Sequence, residues 1–449
     1  MKYTRKSIGV VAVMLCMMVT GCLGGGGITG GGGGGSCDED VESYMELSDP
    51  IDYILEDETT GLDVEVSYRE WGKVYCDKGD SYDDEGVVYD TPGGGAYEGS
   101  PDPSDSGDGA GSLKGGEWND HENFEEYLEW ANNYSDDTVH KFEAENRIII
   151  QVKNRNGNSI PNADIVIFDD GSVQYIAKSD SRGEAVFFPQ LLTNTRDSVS
   201  FNIEVDKNGV RTDSSRSVSG ADVWEIGLDA EDSKLEVVDI AFLLDTTGSM
   251  ADEIARIQTT LKSIVDKVSD ADQNIQIRLG LVVYRDRGDE YITETYDFVT
   301  DVDEFQSVID DVQAGGGADY EESVNEGLHV AVSQLDWSQG EAIRMLFLIA
   351  DAPPHLDYEQ DFEYLAETVL ALRRGIKIYP VAASGLDEKG EFIFRQMSLM
   401  TMSKFVFISY DGTTPHHVGE YQENNLDDII VDTITDEIDS YGSSSVSMQ

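Results

Sequence analysis

Residues 237–250 read VVDIAFLLDTTGSM. The run Val237–Leu244 is of strand length, rich in Val, Ile and Leu and apolar on both faces, the pattern of a strand buried inside a parallel sheet. It stops at Asp245, and Thr247, Gly248 and Ser249 follow at once. In an open α/β sheet, ligands bind in the crevice beyond the carboxyl ends of the strands. Gly248 lets the backbone turn tightly there, so side chains at 245, 247 and 249 converge. One carboxylate and two hydroxyls are oxygen donors that suit a hard divalent cation such as Mg²⁺, which retains some of its waters.

The D-x-T-x-S spacing of Asp245, Thr247 and Ser249 resembles the metal-ion-dependent adhesion site of the von Willebrand factor type A family, whose pattern is D-x-[ST]-x-S. Two further loops of that family have counterparts downstream in the same order. The loop Gly315-Gly316-Gly317-Ala318-Asp319-Tyr320-Glu321-Glu322 falls where the family has a glycine-rich turn ending in a Thr or Asp ligand, and Asp319 is the candidate. After the apolar run Met345–Ile349 comes Asp351, matching the last acidic ligand. Capping of a following helix accounts for either of the strand-end residues Asp245 and Asp351 taken singly, but not for the ordered set. The resemblance implies a Mg²⁺ site, with Mn²⁺ and Ca²⁺ as alternatives, that leaves one position for a carboxylate from a partner protein. Adhesive members carry Thr in the middle loop. Asp319 in its place adds a third carboxylate, which neutralises more of the metal charge and weakens its pull on an anion.

Downstream of the first strand the chain alternates between strand and helix. Helical periodicity over 251–268 is followed by a strand at 278–284 and an edge strand at 292–298, and helices are predicted at 303–312 and 321–335. Strands at 344–349 and 377–382 flank a helix at 362–374 that stops at Gly375. A strand at 405–408 and a helix at 426–441 close the pattern. Such alternation predicts a doubly wound parallel α/β sheet over 235–441, the fold of the type A family.

Residues 146–229 change to a period of two. The runs 148–152, 164–168, 184–188 and 200–205 are separated by Asn-Gly, Asp-Gly and Arg-Gly turns and predict an all-β sandwich. The segments GNSIPNADIVIFDDGS and AKSDSRGEAVFFP resemble carboxypeptidase-regulatory-like and collagen-adhesin B-type repeats, which implies a spacer rather than a catalytic module. Residues 117–145 form a connector in which Phe124, Tyr127, Leu128 and Ala131 have helical spacing. Residues 37–116 are acidic and of low complexity, and 81–116 read as a disordered linker.

The first residues read as a leader, in which Lys2, Arg5 and Lys6 precede an apolar segment too short for a comfortable membrane span. It ends in Val19-Thr20-Gly21-Cys22, which resembles a lipobox and implies residues 1–22 as a lipoprotein signal with acylation at Cys22; a plain secretory signal and an uncleaved anchor are the alternatives. The glycine-rich stretch 23–36 is a flexible tether. Cys37 and Cys76 then form an even pair, most simply a disulfide outside the cytoplasm, with free thiols as the alternative.

The formal charge is −58, from 89 acidic and 31 basic residues spread along the chain. Nucleic acid is disfavoured as a partner, since nothing offsets phosphate repulsion. A solvated surface adapted to high salt accounts for the acidity better than serial Ca²⁺ loops, because no D-x-[DN]-x-[DN]-G loop is present. The sequence carries no phosphate-binding G-x-x-x-x-G-K-[ST], no H-E-x-x-H and no G-x-S-x-G, so the expectation is no enzyme. Arg287-Gly288-Asp289 reads as a turn, His355 as a residue packing near the metal cleft, and His416-His417 as a solvated pair. These readings combine into a surface protein held to the outer face of the membrane by its lipid. Its metal site binds a partner's carboxylate; the alternatives are an envelope component with a fold-stabilising metal and a metal-dependent hydrolase.

Overall fold

The computed structural model describes residues 113–443 except 137, 143, 190–199, 218–221, 270–274, 359–361 and 410–411, and the backbone of four strands nearer the amino terminus. The chain divides into two units, 1–107 and 108–449. In the first, β1 (Tyr44–Glu46) pairs antiparallel with β4 (Trp71–Lys73), and β2 (Ile51–Glu56) with β3 (Asp63–Tyr68). The expected leader, tether, Cys22 lipidation and Cys37–Cys76 pairing lie outside the described residues.

The second unit begins with β5 (Lys114–Trp118) and α1 (Phe124–Asn133). Seven strands follow: β6 (Ile148–Lys153), β7 (Asp164–Asp169), β8 (Ser172–Lys178), β9 (Glu184–Phe187), β10 (Ser200–Lys207), β11 (Val210–Ser217) and β12 (Asp222–Gly227). They form two sheets, ordered β11-β10-β7-β8 and β12-β6-β9. Asp170-Gly171 and Asn208-Gly209 are the two-residue turns of its hairpins, as the Asp-Gly and Asn-Gly signals require. The sheets meet through aromatic rings. Phe187 of β9 lies edge-on to Phe201 of β10 at 5.1 Å, and the buried Tyr175 hydroxyl of β8 donates to the Val186 carbonyl at 2.6 Å.

The α/β part runs β13 (Val237–Asp245), α2 (Ile254–Ser269), β14 (Gln276–Tyr284), β15 (Thr293–Val299), α3 (Val302–Asp311), α4 (Val324–Ser333), β16 (Ala342–Ala350), α5 (Tyr364–Arg374), β17 (Ile376–Ala382), α6 (Glu388–Met400), β18 (Phe405–Ile408), β19 (Asn424–Asn425) and α7 (Leu426–Ser440). Its eight-stranded sheet has the order β15-β14-β13-β16-β17-β18-β5-β19. The five central strands are parallel, and β15 and β5 pair antiparallel at either flank. From Val238 to Asp245 every residue of β13 is buried, which is why its sequence is apolar without alternation. Ile257, Leu261, Ile264 and Val265 of α2 and Ile430 and Ile434 of α7 pack with Ile240, Phe242 and Leu244 of β13 in one core.

Besides β8, β11, β12 and α6, which the sequence reading does not give, the amino-terminal flank of this unit differs from it. Where a linker was expected to run through Gly116, Lys114–Trp118 is a strand of the main sheet, paired with β18. The connector helix α1 then packs on the same part of the molecule: Trp130 lies 5.5 Å from Phe392 of α6, and Arg395 of α6 makes a buried ion pair with Asp120 at 2.6 Å.

The small sheets dock at the amino ends of β16 and β17. The Asn162 amide donates to the Ala342 carbonyl at 3.0 Å and accepts from Arg344 at 2.7 Å. Lys377, at the start of β17, bonds Asp180 at 3.1 Å and Glu437 of α7 at 2.8 Å. Although burial pushes the Glu437 carboxyl up, Lys377 and Arg182 hold it down to about 2.

Candidate metal centre

The sheet order reverses between β13 and β16, since the chain moves outward to β14 and β15 on one side and to β17 and β18 on the other. A crevice therefore opens beyond the carboxyl ends of these two strands. Asp245 is the last residue of β13, and Asp351 follows the last residue of β16. Asp245 Oδ1 accepts from the Thr247 backbone N–H at 2.8 Å and from the Thr247 hydroxyl at 2.7 Å. The Thr247 and Ser249 hydroxyls are 3.2 Å apart, and Ser249 donates to Asp351 Oδ1 at 3.1 Å. Tyr284, the register partner of Asp245 on β14, donates to its Oδ2 at 3.2 Å. Four of the five residues singled out in the sequence thus form one hydrogen-bonded chain.

The glycine loop closes on this chain through its backbone. Gly315 N–H donates to the Thr246 carbonyl at 2.9 Å, and Gly248 N–H to the Gly316 carbonyl at 3.1 Å. The loop carboxylate brought to the centre is Glu322. Its Oε1 and the Thr247 Cβ both crowd the place a side chain on Gly317 would take, at 2.7 and 3.2 Å. Glu322 is 2 % exposed, and its Oε2 is buried without a hydrogen-bond partner.

The electrostatics are those of a site short of positive charge. Burial pushes the Asp245 carboxyl up to about 7, with the Asp351 charge adding to the rise against the hydrogen bonds from Thr247 and Tyr284. Asp351 is pushed up to about 6 by burial, opposed by the Ser249 hydroxyl and reinforced by Glu253. Glu322 is pushed up to about 9 by burial and then by Asp245, Asp286, Asp289 and Asp351. Three buried carboxyl groups, one of them with an oxygen that has no hydrogen-bond partner, and two hydroxyls are a donor set that fits a hard divalent cation.

Asp319 stands outside this hydrogen-bonded chain. Its side chain is 59 % exposed, and its Oδ1 is 3.7 Å from Nε2 of His355. Asp286, after β14, completes that group, and one ligand atom from each of the three lies within 4.8 Å of the others. Spacing in the sequence does not single out Glu322, because the loop offers three acids, of which Asp319 is the first after the glycines. The available signal was position: Glu322 comes just before Ser323, the N-cap of α4, and bridges to Pro354, so it is drawn under the loop.

The Arg-Gly-Asp tripeptide is engaged within the chain. Arg287 Nε donates to Glu326 at 2.7 Å, and its guanidinium lies 4.4 Å over the Tyr358 ring. Asp289 Oδ2 accepts from the backbone N–H of Gly317 at 2.9 Å and of Asp286 at 3.1 Å. His416 and His417, expected to be solvated, each place Nδ1 3.3 Å from Glu391 Oε2, and His416 is buried.

Residues 239–391 match the von Willebrand factor A domain. The chain is 34 % identical over 190 residues to an ariadne-like RING finger protein of Acanthamoeba polyphaga mimivirus, spanning 38 % of this chain and 18 % of that protein. It is 30 % identical over 121 residues to the alpha-protein kinase vwkA of Dictyostelium discoideum, spanning 27 % of this chain and 19 % of the kinase. The chain therefore spans less than a fifth of the length of these curated relatives. Among solved structures, the pilus adhesin SpaC of Lactobacillus rhamnosus GG in its open conformation is similar over 56 % of this chain and 33 % of its own, with a TM-score of 0.36 and 12 % identity. An aerotolerance-related membrane protein of Bacteroides fragilis is similar over 45 % of this chain and 98 % of its own, with a TM-score of 0.30 and 14 % identity. Residues 239–391 of the α/β part are a von Willebrand factor A domain. No helix among the described residues is long and apolar enough to cross a membrane.

Proposed function

We propose that this is an exported, surface-anchored binding protein, not an enzyme, whose von Willebrand factor A domain holds a divalent metal and through it binds a partner protein that presents a carboxylate. The observation that carries the reading is the hydrogen-bonded Asp245–Thr247–Ser249–Asp351 chain with the orphaned Glu322 oxygen beside it at the switch point of the sheet. Asp245 and Asp351 supply charged donors, Thr247 and Ser249 supply hydroxyls, and Glu322 is the middle-loop carboxylate. Mg²⁺ or Mn²⁺ suits these oxygens, and Ca²⁺ is the larger alternative. Such an ion, when bound, supplies an open position for a carboxylate oxygen that the surrounding acids otherwise repel. Anchoring rests on residues 1–36, where a basic and apolar leader precedes Cys22 and a glycine tether.

The test is calorimetric titration of Mg²⁺ and Mn²⁺ into the full chain beside Asp245→Asn, followed by capture of partners from the host's surface with and without chelator. Saturable uptake lost in the variant, with capture lost on chelation while the domain stays folded, supports the reading. If chelation unfolds the domain and no capture depends on the metal, a fold-stabilising role replaces it.

A further inference from the structure

Beside the centre just described lies a second group of side chains built on different residues. His355 is 3 % exposed, and its ring stacks on Tyr358 at 3.8 Å, which fixes its plane. Its Nδ1 is 2.8 Å from the Asp357 carboxylate. A carboxylate on Nδ1 holds the proton there and turns the lone pair of Nε2 outward, the arrangement found behind metal-bound imidazoles. Nε2 is buried, has no hydrogen-bond partner and sits 3.7 Å from Asp286 Oδ1 and 3.7 Å from Asp319 Oδ1. The buried Asp286 is itself oriented, since Ser323 donates to it at 3.0 Å and the Tyr358 hydroxyl at 2.8 Å.

The separations discriminate between two accounts. A direct hydrogen bond from an imidazole nitrogen to a carboxylate spans about 2.7–3.2 Å, so 3.7 Å is too long for one. Two ligands on one tetrahedral ion with bonds of about 2.0–2.2 Å stand about 3.3–3.6 Å apart, and shifts of a few tenths of an ångström by the His355 ring and the exposed Asp319 bring the imidazole to that spacing from both carboxylates. An imidazole with two carboxylates is also a softer donor set than the hydroxyl and carboxylate oxygens around Asp245, and it suits Zn²⁺ over Mg²⁺. We infer that Asp286, Asp319 and His355 form a second cation site that takes Zn²⁺, with its fourth position open to solvent on the side of Asp319. The ligand sets of the two centres share no residue, so this site stands whether or not the Asp245 centre binds metal.

The test is titration of Zn²⁺ into the full chain at saturating Mg²⁺ with thiols alkylated, comparing wild type with His355→Ala and Asp319→Asn. Wild type is expected to take up one more equivalent of Zn²⁺ than either variant. Asp319→Asn, at an exposed position, guards against a folding defect in His355→Ala, and a wild-type melting transition reports that both variants are folded. Asp357→Asn is expected to weaken Zn²⁺ by about 10–100-fold while leaving Mg²⁺ uptake unchanged, an effect that a packing role for Asp357 does not produce. Asp245→Asn is expected to abolish Mg²⁺ uptake and spare Zn²⁺. Equal Zn²⁺ uptake by wild type, His355→Ala and Asp319→Asn, or complete displacement of that Zn²⁺ by Mg²⁺, overturns the inference. The three side chains then only pack together.

Discussion

Replacing Asp245 by Asn should stabilise the metal-free protein at neutral and higher pH while abolishing its response to metal. The carboxyl is raised from 3.8 to about 7, chiefly by burial and then by Asp351. The folded state therefore holds a proton that the unfolded chain releases; the resulting stability is complete below 3.8 and is lost as pH rises through about 7. Over that range the loss amounts to ~4 kcal/mol for the metal-free wild type. At about 2 °C per kcal/mol for a unit of this size, its melting temperature should fall by roughly 8 °C. Glu322, raised to about 9, extends the decline to higher pH. Asn keeps the geometry: its carbonyl still accepts from the Thr247 N–H and hydroxyl, and its amide donates to the Tyr284 hydroxyl where Oδ2 accepted. Carrying no charge, it should remove most of the decline. Wild type with Mg²⁺ at about 100 times its dissociation constant should regain ~2.7 kcal/mol, and the variant nothing. Thermal melts in chelator and in Mg²⁺ between about pH 4 and pH 9 read all of this. A metal-free wild type whose melting temperature does not fall with pH, or an Asn variant that melts below it at about pH 8, would refute the claim that buried carboxylate repulsion dominates the empty centre.

Two structural predictions follow from the elements that hold the site. Gly317→Ala should cost about 1–3 kcal/mol in chemical denaturation and weaken Mg²⁺ uptake, because φ of +71° strains any other residue and the new Cβ meets Glu322 Oε1 at 2.7 Å. Lys377→Met should cost about 3–5 kcal/mol by leaving Asp180 and Glu437 buried without their shared cation. Its Mg²⁺ affinity should stay at the wild-type value, since Lys377 sits at the opposite end of the sheet; a large loss of affinity contradicts that separation.

The sequence carries the centre of the α/β sheet and most of the hydrogen-bonded chain at its carboxyl edge plainly, for a physical reason. β13 and β16 are buried on both faces, so their apolar runs end sharply at Asp245 and just before Asp351. α6 was not anticipated because every residue from Gly390 to Met400 is buried, which erases the polar stripe that marks a surface helix. β5 was hidden by Gly115 and Gly116, which read as linker. In the structure a Cβ on Gly116 would lie 2.5 Å from Tyr421 and 2.6 Å from Phe407, so the glycine serves close packing. Asp319 and Glu322 are separated only by the path of three residues under the glycine loop, a long-range outcome that spacing along the chain does not encode.

The acidity of the chain and the proposed carboxylate ligand are in tension, and the tension makes a claim about salt. Asp319, Asp387 and Glu388 are exposed around the centre, and Tyr320, 40 % exposed, ties their loops by accepting from the Asp387 N–H at 2.8 Å and donating to the Gly385 carbonyl at 2.8 Å. An anionic partner approaching this rim is repelled at every distance beyond contact with the metal. The screening length falls from about 10 Å at 0.1 M salt to about 3 Å at 1 M, so added salt removes the repulsion of the rim. A metal–carboxylate contact of about 2 Å lies inside even the shorter length and survives. Partner capture at fixed Mg²⁺ should therefore strengthen as KCl is raised, opposite to the trend for charge-complementary association. Capture that weakens steeply with KCl would instead mark a basic partner held by the acidic surface, with the metal serving the fold alone.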